Sequence, residues 1–410
     1  MKLAFISDVH LGDPTCCLYH LENGRIKQGS RFEKFMDSVG RNNKYLVLMG
    51  DILDFAISKP YDVYRMGQEF FQNIKDNDIA DEIIYIPGNH DFNFWNTYQE
   101  QIKVIHQIDE GRLPKHYRWA LPGFIMDEDG KSDGLKIPSV SIRKGEGEYR
   151  YGGLFLENIT KPLTNFNIVY PNLYVIDKNT TTLITHGHYF EMFWSIGNDW
   201  FPGIFGSDLN NGEPLSMKGL VGVNFPFCQL SSSGLGLAGP LTNIIGHLEH
   251  EIKEKNYKKL KCYLDNFRIE YLNTRDYEFD SVIGKFLTGV VLWLAESWLL
   301  KEIKKIKIAR NNKTFFEDED VARRFWDYFS KCQDELKNAN IGNKTINTMI
   351  MGHTHVPSPW GSKKAPEMIR AGNTVPIYNT GGWLKTDGQF VGAEIFHYET
   401  GKGFSSTNIE

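Results

Sequence analysis

The stretch "FISDVHLGD", Phe5 to Asp13, breaks an apolar run with an aspartate and a histidine two residues apart. Residues i and i+2 of a β-strand share a face. The spacing therefore predicts that Asp8 and His10 offer a carboxylate oxygen and an imidazole nitrogen to one point. A pair this short carries little weight alone, but the pattern recurs. "LVLMGDILDF" supplies Asp51, "IYIPGNHDF" Asn89 and His90, "LITHGH" His186 and His188, and "IMGHTH" His353 and His355. Six of the twelve histidines fall in these segments, each directly after an apolar run. Ligands of open α/β sheets collect beyond the carboxyl ends of strands. The five segments are thus expected to meet at one edge.

The runs "KLAFIS", "YLVLMG" and "EIIYIPG" are almost wholly apolar, as strands buried on both faces must be. Helical spacing separates them in "RFEKFMDSVGRNN" and "YRMGQEFFQNIKDN". A βαβαβ opening of this kind predicts a layered α/β sheet. Further strands are expected at "NLYVID", "TTLITHG", "INTMIMG", "VPIYNTG" and "FVGAEIFHY". Residues 191–345 read differently, with helical patterns over roughly 240–265, 279–309 and 316–337. Residues 1–190 and 346–410 are taken as one sheet-based domain, and 191–345 as a predominantly helical insertion or cap. Inside it, "GLGLAG", Gly234 to Gly239, matches a dinucleotide loop in letters only, since no βαβ unit follows.

With 410 residues, 41% apolar and 13% aromatic, the chain can bury a sizeable core, which excludes wholesale disorder. Its formal net charge of −5 provides no global basic field, so nucleic acid is not the expected partner. Five cysteines form no Cys-x-x-Cys pair and suit a reducing compartment. "MKLAFISDVH" lacks the apolar core of a leader peptide, and Phe286 to Ala295 is half the ~20 residues of a spanning helix. The expectation is a cytoplasmic protein, with peripheral membrane contact left open. That contact would use the helix in "FDSVIGKFLTGVVLWLAESWLLKEIKKIKIAR", whose end carries six basic residues against one acidic from Lys301 to Lys313. The plainer reading is a buried cap helix with a solvated end.

Read together, Asp8-Val9-His10, Gly50-Asp51-Ile52-Leu53-Asp54, Gly88-Asn89-His90-Asp91, His186-Gly187-His188 and Gly352-His353-Thr354-His355 resemble the calcineurin-like metallophosphoesterase superfamily. The resemblance covers about residues 1–190 and 346–400. It implies a layered α/β fold, a β-sandwich flanked by helices, to which the insertion would be added as a cap. It also implies two divalent ions, one held by Asp8, His10, Asp51 and His355, the other by Asp51, Asn89, His186 and His353. Donors of carboxylate, amide and imidazole without thiolate suit Mn, the first choice, or Fe or Zn. The activity implied is hydrolysis of a phosphoester or phosphoanhydride by a metal-bridged hydroxide, with His90 assisting the leaving group and Asp54 orienting His90. His188 is expected beside the ligands rather than among them, and Asp91 in a structural role.

The substrate would be a phosphorylated small molecule or lipid. One alternative is a non-catalytic scaffold on the same fold. Another is an enzyme like the bacterial UDP-2,3-diacylglucosamine pyrophosphatases, which the chain resembles more loosely; those carry arginine where this chain has His90.

Overall fold

The computed structural model describes residues 1–128, 131–137, 153–160, 166–178, 180–229, 232, 251, 256–274, 312–341, 344–370, 372–386 and 388–410. The chain divides into two compact units, Met1–Leu237 with Arg310–Glu410, and Ala238–Ala309. The glycine run 234–239, the apolar stretch 286–295 and the basic residues Lys301 to Arg310 lie outside the described residues, as does the helix expected over 279–309.

The first unit is built on a mixed sheet. Its strands are β1 (Lys2–Ile6), β4 (Asn43–Leu48), β5 (Ala80–Tyr85), β6 (Gly123–Glu128), β7 (Lys131–Lys136), β8 (Phe166–Ile168), β9 (Asn172–Asp177), β10 (Thr181–Thr185), β11 (Thr348–Met351), β12 (Pro357–Ser358), β13 (Glu367–Arg370), β14 (Asn373–Thr386), β15 (Gln389–Glu399) and β16 (Gly403–Ile409). A separate hairpin pairs β2 (Tyr19–Glu22) with β3 (Arg25–Gln28). The main path runs β7-β6-β9-β10-β11-β14-β15-β1-β4-β5-β8. Every strand expected from an apolar run is present.

Strand β14 divides this sheet into two wings. Its residues Ile377–Asn379 pair in parallel with β11, whereas Gly381 and the residues after it pair antiparallel with β15, with a register shift between Gly382 and Lys385. Gly381 has φ of 67°, a left-handed conformation that glycine adopts readily. A sheet bent in this way folds one wing over the other. Across the layers the Tyr398 hydroxyl on β15 donates to Asp127 on β6 at 2.5 Å, and the Leu135 amide on β7 donates to Tyr45 on β4 at 3.2 Å. Strands β1, β10 and β11 are buried along all or nearly all their length, which accounts for their unbroken apolar character.

Helices cover the wings. Helices α1 (Phe32–Ser38) and α2 (Pro60–Asp76) belong to the first crossovers, and α2 buries Val63, Met66, Gly67, Phe70, Phe71 and Ile74, the spacing of one helical face. Helix α3 (Phe92–Glu100) follows β5, and α4 (Ile196–Phe205) and α5 (Met217–Gln229) follow β10. The second unit contains α6 (Tyr257–Thr274). Helix α7 (Glu319–Asn338) starts at Asp318, whose carboxylate accepts from the Asp320 and Val321 amides. Among the described residues no helix is long and apolar enough to cross a membrane.

Helix α7 is tied to the sheet through Asn172. The Asn172 amide group donates to Glu335 at 2.8 Å and its carbonyl accepts from Tyr328 at 2.6 Å, while Tyr174 donates to Glu335 at 2.7 Å. Burial raises the Glu335 carboxyl to about 7, against the opposing effect of the hydrogen bonds from Asn172 and Tyr174. An unfolded glutamate ionises near 4.5, so between about 4.5 and 7 the unfolded chain releases a proton that the folded chain keeps. Stability from this group is therefore complete below that window and declines as pH rises through it. Glu335→Gln keeps an oxygen acceptor without the titration. Its melting temperature relative to the unsubstituted chain is expected to rise between pH of about 5 and about 8, and thermal melts at both pH values check it.

Candidate metal centre

The five motif segments lie just past the ends of β1, β4, β5, β10 and β11, three on one wing and two on the other. Their backbones leave the extended region abruptly. Asp8, His10, Asp51, His353 and His355 all have positive φ, from 52° to 70°. Non-glycine residues seldom adopt this region, at a conformational cost of order 1–3 kcal/mol each, and such residues cluster at functional sites. The geometry corrects the pleat argument for Asp8 and His10. Strand β1 stops at Ile6, and it is the left-handed turns beyond it that direct both side chains inward. Two loops then zip together, the Asp8 amide donating to the Gly50 carbonyl at 3.0 Å and the His10 amide to Asp51 at 2.8 Å.

Three groups of donors result. Ligand atoms of Asp8, His10, Asp51 and His355 lie within 4.8 Å of one another, as do those of Asp51, His186 and His353, and those of His10, Asp54 and His90. Asp51 is common to the first two. His186 Nε2 is 3.2 Å from Asp51 Oδ2 and 3.0 Å from Asn89 Oδ1, which brings Asn89 to the second group. His355 Nε2 is 3.2 Å from both Asp8 Oδ1 and His10 Nε2.

Outer contacts orient these side chains. His186 Nδ1 faces the Met49 carbonyl at 2.9 Å, and His10 Nδ1 faces Asp54 Oδ2 at 3.1 Å. Each ring that donates through Nδ1 turns the Nε2 lone pair inward, the arrangement that metal-binding histidines use. The other oxygen of Asp54 faces His90 Nδ1, also at 3.1 Å. One fully buried carboxylate thus holds two imidazoles. Asp91 accepts from the Gly88 amide at 2.5 Å, the Ile52 amide at 2.9 Å and the Tyr85 hydroxyl, pinning the β4 and β5 loops together.

The electrostatics follow from packing carboxylates out of water. Burial works against ionising Asp51, yet His186 and His90 hold its carboxyl well below the usual range. Burial likewise opposes the imidazolium of His90, but Asp54 and Asp51 outweigh it and lift His90 to about 10; His186 rises to about 9 through Asp51. Burial, followed by the charge of Asp51, raises Asp91 to about 6. The site draws positive charge toward Asp8 and Asp51.

His188 is buried beside this centre rather than in any of the three groups. Its Nε2 is 3.4 Å from the Tyr170 hydroxyl, and its Nδ1 has no hydrogen-bond partner among the described residues. The sequence reading missed Glu191, whose Oε2 is 3.3 Å from His353 Nε2, and the contacts of Ser7 with Asp8 and Thr380. None of these carries a local signal, because a lone glutamate, serine or threonine has no diagnostic spacing.

A family profile for calcineurin-like phosphoesterases matches residues 1–357. The chain belongs to this family. No curated protein matches it. As a calcineurin-like phosphoesterase the chain has buried histidine and aspartate groups that fit a metal site. Two buried carboxylates, Asp8 and Asp51, share the first group with two imidazole nitrogens that face each other, a set short of positive charge. Oxygen and nitrogen donors without thiolate are those of a divalent ion of intermediate hardness.

Two glycines leave the space that the donors need. A Cβ on Gly50 would lie 2.5 Å from His186 Nδ1 and 2.8 Å from the Gly88 Cα, at a φ of 90°. A Cβ on Gly352 would collide with Asp8 Oδ2 and Ser7 Oγ. Gly50→Ala is therefore expected to displace His186 and lower bound metal at least tenfold, while Gly24→Ala, at a φ of 73° with open space around it, leaves metal content unchanged. Elemental analysis of the two purified variants checks this.

Proposed function

We propose that this chain is a dinuclear metal-dependent hydrolase of phosphoester or phosphoanhydride bonds. The observation that carries the reading is the sharing of Asp51 between two donor groups, with the His10-Asp54-His90 cluster directly beside them. Asp8, His10, Asp51 and His355 would hold one divalent ion, and Asp51, Asn89, His186 and His353 the other. Ions held there, Mn first and Fe or Zn as alternatives, lower the pKa of water and polarise phosphoryl oxygens.

The remaining chemistry belongs to the chain. His90 is the one imidazole of its cluster that reaches solvent, with 26% of its side chain exposed. Asp54 fixes the His90 Nδ1 proton, so the Nε2 proton is the one presented to a leaving oxygen. The ionised Asp54 carboxylate beside Nδ1 favours the protonated ring. Because Asp54 also holds His10, the ligand and the acid are oriented by a single carboxylate. The His90 backbone amide, donating to Asp51 at 2.8 Å, ties the same residue to the shared ligand.

A complete donor set together with an acid histidine supports hydrolysis over a scaffold role. We take the substrate to be a phosphorylated small molecule or lipid. The cysteines, five in all and free of disulfides, support a cytoplasmic setting.

The test is a metal-by-substrate panel on purified protein with aryl monoester, aryl diester and nucleoside diphosphate compounds. Hydrolysis is expected to disappear on chelation and to return with added Mn. Activity untouched by chelation defeats the proposal. Asp51→Asn is expected to lose both ions and with them turnover, read by elemental analysis and rate. His90→Ala is expected to keep near-normal metal while losing roughly 10²–10⁴-fold in turnover, less for substrates with good leaving groups. An equal loss across leaving groups of widely different pKa removes His90 as the proton donor.

A further inference from the structure

Two of the rings proposed as ligands are held from outside, and His353 raises the question of what holds a third. His10 has Asp54 on its outer nitrogen and His186 has the Met49 carbonyl. The backbone of His353 is fixed, since its amide lies 3.0 Å from both oxygens of Asp8. Its ring is not fixed by that contact. Among the described residues the buried Nε2 makes no hydrogen bond, and Glu191 Oε2 faces it at 3.3 Å.

Glu191 arrives there for a local reason. Gly187, at a φ of 105°, ends the extended run of β10 and starts a short turn over His188–Phe190, closed by the Glu191 amide donating to the His188 carbonyl at 3.0 Å. The chain then resumes an extended conformation at Glu191, five residues after His186. The Glu191 side chain is 42% exposed and stands outside the group formed by Asp51, His186 and His353.

We infer that Glu191 is a positioning residue for the second ion, accepting the Nε2 proton of His353 so that Nδ1 is the nitrogen turned toward Asp51 and His186. The inference rests on the two-ion reading above. A carboxylate behind a metal-binding imidazole fixes its tautomer and ring angle and raises its basicity; loss of such a partner typically weakens metal affinity by 10–100-fold. A free ring at this position would divide between two tautomers and a range of rotations, and only part of that population could bind.

The experiment is Mn²⁺ titration of the metal-stripped, 410-residue chain, followed by calorimetry and by the electron paramagnetic resonance signal of a spin-coupled ion pair. The unsubstituted protein is expected to take up two ions. Glu191→Ala is expected to weaken the second by roughly 10–100-fold, to leave the first unchanged and to lose the coupled signal at two equivalents. Glu191→Gln keeps an oxygen that accepts the same proton, and is expected to recover most of the affinity. Combining Glu191→Ala with His353→Ala is expected to weaken the second ion no further than His353→Ala does, because both act through one ring.

A second-ion affinity unchanged in Glu191→Ala, or additive losses in the double variant, overturns the role of Glu191 and leaves the two-ion reading standing. An unsubstituted protein that binds fewer than two ions overturns both.

Discussion

The carboxylate of Asp51 is buried where the two wings of the sheet meet, and the geometry of the site depends on its being there. Isolated in an apolar interior, an ionised carboxylate is so unfavourable that it would neutralise itself by taking a proton. Here His186 from one wing and His90 from the other surround it, and the His90 amide donates to it directly. Asp51 thus draws the β4, β5 and β10 loops to one point. The same crowding of negative charge that would destabilise an empty core is what a divalent ion requires.

The backbone around Asp51 is shaped to the same end. Five motif residues hold left-handed conformations, and such strain persists only where surrounding contacts over-determine it. Those contacts are visible. The β1 and β4 loops exchange backbone hydrogen bonds, Asp91 gathers the Gly88 and Ile52 amides with the Tyr85 hydroxyl, and Asp8 accepts from the His353 amide across the wings. Rigid loops placed on buried strands can hold donors within the few tenths of an ångström that coordination demands.

Asp54 illustrates how one side chain couples two tasks. Its oxygens, 3.1 Å from Nδ1 of both His10 and His90, set the tautomers of a candidate ligand and of a candidate acid together. A change at Asp54 therefore cannot be assigned to metal binding or to proton transfer alone. The non-additivity expected of residues acting as one unit applies to this trio.

Much of the centre was legible in the order of residues, because metal-binding segments at strand ends are short, local and chemically distinctive. Asp8, His10, Asp51, Asn89, His90, His186, His353 and His355 could each be picked out from an apolar run followed by a donor, and those runs are the buried strands observed. The division of the donors between two ions was implied only by the family resemblance, and what the chain order could not convey is the backbone geometry that brings each group together. That depends on the bend at Gly381, which folds one wing over the other, and on left-handed turns where a pleated strand was expected. Glu191, Ser7 and Thr380 were invisible for the same reason. Their neighbours are remote in sequence, or face them only once a turn has formed, so their chemistry exists only in three dimensions. The sequence by itself determined which donors are available, since side-chain chemistry is local; the tertiary structure decided which of them come within reach of one another, because that is a matter of distance across the fold.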